Sequence, residues 1–287
     1  MSEILEQYKD FVSNFVAVHK KAVNIELGSF EETKYGAGKK VMLFSPHPDD
    51  ECVVGALPLR LKNELDAQVI NVAVTLGSNK DRKEGRLDEL MKACKTLGFE
   101  LLLPCDLALD GINPANKDAE GWDEKVDLIA KIIIDERPDI VLFPHDNDYN
   151  STHIGVNLLV MDALEAASNE VPEIKTVVLE SEFWQMMDKP NLMIGLSHDD
   201  EAQLIYALSA HTGEVERNPY HINHPARMLD NVTRGSEVVG GQGGSAVNFD
   251  FAMIYRCSVF ANGEIQPAWE GGKTFGDDES LEALFEL

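Results

Sequence analysis

The stretch Val41-Met-Leu-Phe-Ser-Pro-His-Pro-Asp-Asp-Glu51 constrains the fold of this chain more than any other. Val41, Met42, Leu43 and Phe44 form an apolar run short enough to be one buried strand. Pro46 and Pro48 oppose its continuation and stiffen a turn. Apolar residues resume at Val53, Val54, Leu57, Leu59 and Leu61, which reads as a helix. His47, Asp49, Asp50 and Glu51 therefore fall where a buried strand ends and a helix begins. In open α/β sheets, ligands bind at that edge, outside the carboxyl ends of the strands.

The residue types suggest a metal. His47 offers a nitrogen and Asp50 an oxygen, three residues apart, and a tight turn can aim both at one point. Such ligands suit Zn²⁺, and another divalent ion is compatible; a catalytic site adds a third ligand and an open position. Asp49 lies between them, placed as a general base for water that the ion acidifies. An Asp at a helix start is ordinarily a cap, and a lone His an ordinary core or surface residue. It is the four together, directly after an apolar run, that argue for a site.

The rest of the chain alternates strand and helix as a parallel, doubly wound sheet does. Ser2–Val23 reads as an amphipathic helix against the outside of the sheet, followed by a polar connector. Gln68–Thr75, Glu100–Leu103, Ile140–Phe143 and Thr176–Glu180 read as further strands. Arg82–Leu97, Trp122–Glu136 and Asp199–Ser209 read as helices. The fold class expected is α/β and Rossmann-like, a mostly parallel sheet with helices on both faces. We expect one domain over residues 1–287, in three parts. Residues 1–39 hold the helix and connector, 40–180 the core, and 181–287 substrate loops and the late strand Phe249–Phe260. The acidic tail ends in Leu281, Leu284, Phe285 and Leu287, read as a short helix or a contact for a neighbouring subunit. Gly36-Ala-Gly-Lys-Lys40 lacks the glycine and hydroxyl spacing of a phosphate loop. Gly240–Ser245 reads as a mobile loop, a lid or a linker.

The second polar cluster is His145-Asp-Asn-Asp-Tyr-Asn-Ser-Thr-His153, again after an apolar strand and before a helical pattern. If the strands beginning at Val41 and Ile140 are neighbours, His153 completes a His-Asp-His ligand set. His145, directly on the strand end, has less freedom to reach sideways.

Asp and Glu number 50 against 25 Lys and Arg, a net charge of −25. That balance argues against nucleic acid and anionic membrane as partners, since both need a cationic surface. The start of the chain has no secretory pattern, and no apolar run reaches a membrane span. Cys52, Cys94, Cys105 and Cys257 form no CxxC pair and read as buried, reduced thiols of a cytoplasmic protein.

Pro46-His-Pro-Asp-Asp-Glu51 with a later His at a helix start resembles the PIG-L/LmbE-like deacetylase family. The likeness extends more loosely from Lys40 to about His211. It takes in Thr75-Leu-Gly77, Arg86-Leu-Asp-Glu-Leu90 and Ala210-His211. It implies a zinc enzyme that removes acetyl groups from N-acetylglucosamine-type sugars and conjugates, releasing acetate and a free amine. Carried over by position, His47, Asp50 and His153 are metal ligands and Asp49 the general base. Arg86 and Asp110 contact substrate. The family commonly has a His three residues before the third ligand, as acid and oxyanion donor; here that residue is Asn150. Asn can donate to an oxyanion, a contribution of about 3 kcal/mol in known cases, but it supplies no proton. His211 is the side chain expected to take over, ahead of His145 and Tyr149, with Asp49 itself as the other route. Trp184, Trp122 and Tyr149 are candidates to stack on a sugar. Two other readings are a metal phosphoesterase and a non-catalytic sugar-binding protein of this fold. A homo-oligomer is compatible with the sequence.

Overall fold

A computed structural model describes residues 3–27, 30–239 and 247–287. The first half lays down α1 (Glu3–Ala22), β1 (Lys40–Ser45), α2 (Asp50–Val53), α3 (Ala56–Leu65), β2 (Gln68–Ala73), α4 (Lys83–Leu97), β3 (Glu100–Leu102), α5 (Trp122–Glu136) and β4 (Ile140–Pro144). The second adds α6 (Ser151–Glu170), β5 (Lys175–Ser181), β6 (Leu192–Leu196), α7 (His198–Leu208), α8 (Thr212–Val215) and α9 (Tyr220–Val238). It ends with β7 (Phe251–Ala261), β8 (Glu264–Pro267), β9 (Lys273–Phe275) and a 3₁₀ turn, Glu282–Glu286.

The strands form one mixed sheet in the order β3-β2-β1-β4-β5-β7-β6-β9, with β8 on β7. β1 to β5 are mutually parallel, and β7 runs antiparallel to β5 and β6. Alternation along β1 fills both faces. Val41 and Leu43 join the cluster that includes Leu57, Leu61, Leu90 and Leu204, while Met42 and Phe44 join Ile129, Ile133, Leu159 and Leu164. A strand buried on both sides must be apolar throughout, which is why β1 shows no polar–apolar alternation. β1 pairs with β2 on one side and β4 on the other, Val41 opposite Ile140 and Leu43 opposite Leu142. The chain reverses its direction of winding between β1 and β4, so the loops after these two strands open a crevice at one sheet edge.

Several expectations change. α1 does not pack on the sheet: it buries no residue, and Tyr8, Phe11, Phe15 and Val18 are exposed. With Ile222, Pro225 and Leu229 of α9, its residues Phe11, Phe15 and Val18 line an apolar groove of about 410 Å³. The C-terminal segment folds back onto its own chain, with Leu281 and Leu284 buried in the core. The fully buried Arg60 ties it down, donating to the carbonyls of Gly195 (2.7 Å), Gly276 (2.8 Å) and Glu279 (2.7 Å). Cys105 is exposed, whereas Cys52, Cys94 and Cys257 are buried, and all four are free thiols. The Gly240–Ser245 loop lies outside the described residues. No helix among the described residues is long and apolar enough to cross a membrane.

Candidate active site

The turn after β1 brings four polar residues to the crevice. His47 and Asp50 are tied together locally, the His47 N–H donating to Asp50 Oδ2 at 2.8 Å. Asp49 takes a left-handed backbone conformation (φ 114°), and its N–H donates to Glu51 Oε2 at 3.0 Å. From the neighbouring strand end, α6 begins at Ser151, capped by Asn150 Oδ1, which accepts from the Thr152 N–H at 2.8 Å. That start places His153 in the first turn, facing β1.

His47 Nδ1, Asp50 Oδ2 and His153 Nε2 form a triangle with edges of 3.2, 3.3 and 3.5 Å. Ligand atoms about 2.0–2.2 Å from a tetrahedral ion lie about 3.3–3.6 Å apart, so the triangle has the size of one face of such a polyhedron. Two ring nitrogens and a carboxylate oxygen held at these distances fit a divalent ion in both spacing and donor chemistry. Burial pushes the Asp50 carboxyl up, but the His153 and His47 rings outweigh it and hold its pKa below the usual value. Asp49 is the opposite case. Burial raises its pKa well above the ordinary carboxylate value, the neighbouring Asp50 charge adds to this, and Arg86 opposes it.

The three residues open onto a cavity of about 400 Å³ whose lining includes Asp49, Arg82, Arg86, Asn150, Trp184, Glu214, Arg217 and Tyr220. Arg86 Nη2 donates to the Pro48 carbonyl at 3.0 Å, so it also braces the turn that carries His47. Gly77 beside it holds φ 84°, a conformation that strains any other residue, and a Cβ there would displace Arg86 Nη1 from its place 2.2 Å away. Thr75 Oγ1 donates to the Pro46 carbonyl at 2.6 Å and accepts from the Gly77 N–H at 3.1 Å, which locks the loops after β1 and β2 together.

His47, Asp49, Asp50, Asn150, His153 and Arg86 thus converge. His211 does not reach the cavity. It is fully buried behind the turn, with Nε2 2.6 Å from Glu51 Oε1. Asp110 does not reach it either; it is surface-exposed and pairs with Lys83 at 2.7 Å. His145 is buried and engaged, Nε2 with the Gln185 carbonyl (2.9 Å) and Nδ1 with the Asn147 N–H (3.2 Å). Among the aromatic candidates only Trp184 lines the cavity, next to Tyr220 (ring centroids 5.6 Å). Trp122 is buried against Asp162, and Tyr149 is exposed to solvent.

Sequence reasoning did not single out Asp148. Its Oδ1 accepts from the Asn150 N–H (2.9 Å) and its Oδ2 from the Trp184 N–H (3.1 Å), and Oδ2 lies 3.7 Å from His153 Nδ1. Burial pushes its pKa up, but His153 and the two N–H donors prevail and hold it down at about 2. A carboxylate behind the far nitrogen of a ligating His is a common device for fixing that ring. Its position two residues before Asn150 was the available signal.

Residues 42–164 match the model of the PIG-L family, described as GlcNAc-PI de-N-acetylase. No curated protein matches the chain. Among solved structures, the conserved protein TT1542 from Thermus thermophilus superposes with TM-score 0.58 at 19% identity, over 75% of this chain and 92% of that one. GalB, the 4-carboxy-2-hydroxymuconate hydratase of Pseudomonas putida, gives 0.57 at 17% identity, over 77% and 96%. The N,N'-diacetylchitobiose deacetylase of Pyrococcus horikoshii gives 0.55 at 16% identity, over 86% and 92%. At these identities the likeness is one of fold. A hydratase and a deacetylase both occur on it, so the reaction has to be argued from the site.

Proposed function

We infer, from the PIG-L match over residues 42–164, that this protein is a metal-dependent amidohydrolase. Its reaction is removal of an acetyl group from an N-acetylglucosamine-type sugar or conjugate, giving acetate and a free amine. The observation that carries this reading is the His47–Asp50–His153 triangle with Asp49 beside it, open to a cavity of about 400 Å³. His47, Asp50 and His153 would hold the ion, zinc or another divalent metal. Such an ion supplies Lewis-acid polarisation of the amide carbonyl and makes water acidic near neutral pH.

The chain's own residues do the rest. Asp49 takes the proton from the attacking water. Its raised pKa brings it closer to the range in which a base can also return that proton. The same carboxyl then protonates the departing nitrogen, because the only histidines lining the cavity among the described residues are His47 and His153. The acid role expected of His211 is withdrawn, since its burial behind Glu51 leaves no path to substrate. Asn150 uses its oxygen as the α6 cap, which leaves its amide N–H₂ to donate to the oxyanion. Trp184 and Tyr220 offer an aromatic wall for a sugar.

A phosphoesterase would usually need a second metal. The other His/Cys/Asp/Glu cluster among the described residues is Glu51, Cys52 and His211. It is fully buried, and Glu51 and His211 are already hydrogen-bonded at 2.6 Å. The free thiols fit a cytoplasmic setting. A second copy of the chain is the partner that best suits the exposed face of α1. The helix is acidic in its first turn (Glu3, Glu6) and basic in its last (His19, Lys20, Lys21), so an antiparallel pair matches opposite charges.

Elemental analysis paired with amine release from N-acetylglucosamine and its glycosides tests the reading. About one metal ion per chain is expected, with both metal and activity lost in His153→Ala, and Asp49→Asn keeping metal without turnover. Bound metal with no amine released from any N-acetylated sugar would overturn the deacetylase assignment.

A further inference from the structure

The cavity has two halves with different charge. At the floor, His153 and Asp50 are almost fully buried. At the mouth sit three guanidiniums, Arg82, Arg86 and Arg217, whose side chains are 38%, 14% and 61% exposed. All three converge on one carboxylate, Glu214, which is itself buried at 4% side-chain exposure. Arg82 Nη2 lies 2.8 Å from Glu214 Oε1, Arg86 Nη2 lies 3.6 Å from the same oxygen, and Arg217 Nη2 bonds Oε2. Arg82 immediately precedes α4, Arg86 lies in the first turn of α4, and Arg217 comes from the loop between α8 and α9.

One guanidinium would neutralise Glu214, and Arg86 also faces Asp49, which leaves the outer donors of Arg82 and Arg217 without a fixed carboxylate. In a chain with twice as many acidic as basic residues, three arginines around one cavity are not average surface. Arg82 and Arg217 each commit one terminal nitrogen to Glu214. Their Nε and Nη1 groups make no hydrogen bond among the described residues. Planar forks of this kind bind carboxylates and phosphates through paired N–H donors.

We propose that Arg82, Arg86 and Arg217, preset by Glu214, form a subsite for an anionic group carried by the substrate, a carboxylate or a phosphate. This deepens the deacetylase reading and rests on it for the identity of the substrate: a negatively charged N-acetylated sugar conjugate rather than a neutral one.

The test compares kcat/KM for the neutral methyl glycoside of N-acetylglucosamine with the values for its 1-phosphate and for a carboxymethyl glycoside. At low salt at least one anionic compound should exceed the neutral one about tenfold, and which of the two wins identifies the group. In the double variant Arg82→Gln/Arg217→Gln that ratio should fall to about one. A wild-type ratio near one, or a ratio unchanged in the double variant, would overturn the proposal. Calorimetric titration with glucosamine 1-phosphate gives a readout independent of turnover. About tenfold weaker binding in the double variant supports the subsite even if no compound is deacetylated, in which case the deacetylase reading alone fails. Equal binding by the two proteins, or none by wild type, overturns the subsite. Arg217→Gln, at an exposed position, keeps the test available if the double variant does not fold.

Discussion

Glu51→Gln isolates what the buried pair behind the turn contributes. Glu51 is fully buried and its oxygens serve three groups. Oε2 accepts the Asp49 N–H at 3.0 Å, and Oε1 lies 2.6 Å from His211 Nε2 and 3.2 Å from Cys52 Sγ. Asp49 holds φ 114°, a conformation that costs a non-glycine residue about 1–3 kcal/mol and persists only where neighbours enforce it. Glutamine keeps the shape of Glu51 but turns one oxygen into an NH₂, which then faces the Asp49 N–H or the His211 N–H. Reversing the His211 tautomer gives no escape, because the proton would move to Nδ1, which is buried without a partner. A hydrogen bond to a charged group is worth about 1.5–3 kcal/mol, so replacing one by two opposed donors should destabilise the protein by about 2–3 kcal/mol. At about 2–4 °C per kcal/mol, that lowers Tm by about 4–12 °C. With Asp49 freed to relax, kcat should fall about 10–100-fold while KM changes little, since misplacement by about 1 Å can cost a hundredfold. Urea unfolding and amine-release kinetics on the same preparation measure both. A stability loss under about 0.5 kcal/mol would refute the hydrogen-bond argument. A large loss with unchanged kcat would refute the positioning of Asp49 and leave the pair purely structural.

Asp148→Asn should weaken metal affinity about 10–100-fold without removing a ligand, read by chelator competition; unchanged affinity would mean that the 3.7 Å approach to His153 does not orient the ring. The Asp148 pKa is depressed to about 2, so its contribution to stability is complete above about pH 4 and is lost as pH falls through about 2. Discounted for solvent screening this amounts to about 1 kcal/mol, and Asp148→Asn should flatten acid unfolding in that window and nowhere else. Arg60→Met removes the donor to one buried and two partly buried carbonyls and should cost about 2–4 kcal/mol, with faster proteolysis of the C-terminal segment; cleavage at the wild-type rate would show that Arg60 does not anchor it. Phe11→Glu/Phe15→Glu should convert a dimer to a monomer in sedimentation velocity, and a monomeric wild type would remove α1 as an interface.

What the sequence made legible follows from which interactions are local. The β1 run, the turn residues His47 to Glu51 and the helices after them are set by short-range chemistry, and the parallel core from β1 to β5 appears where the pattern places it. β6 was missed. Leu192 to Leu196 is a short apolar run, but only its pairing with β7, more than fifty residues later, makes it a strand. The first turns of α9 were not among the expected helices; α9 begins at Tyr220 and carries Pro225 inside it. Pro225 is the sixth residue of the helix, past the first turn, so it forfeits the bond its N–H would make to the His221 carbonyl, and its presence argued against a helix there. α1 misled for a different reason: an amphipathic pattern says that a face is to be covered, not by what.

The same distinction divides the site. His47 and Asp50 are three residues apart, so the sequence alone brings them together. His153 joins them only because β1 and β4 are adjacent, and the polar loop with a His at a helix start was sufficient signal for that inference. The two residues proposed from a distance that stay outside the cavity, His211 as the acid and Asp110 as a substrate contact, do so for one physical reason. A motif position fixes the element on which a residue lies but not the direction of its side chain, and both side chains already have nearer partners, Glu51 and Lys83. Of the arginines at the mouth, Arg86 was expected from the family resemblance, whereas Arg82 and Arg217 could not be read, since they are more than a hundred residues apart and look like ordinary surface charges until Glu214 gathers them. The reaction is thus written locally, in the turn after β1, whereas the substrate is written across the fold. The candidate ligand set is therefore legible from short-range chemistry and one strand adjacency, while specificity has to be sought in the loops that the pattern leaves free.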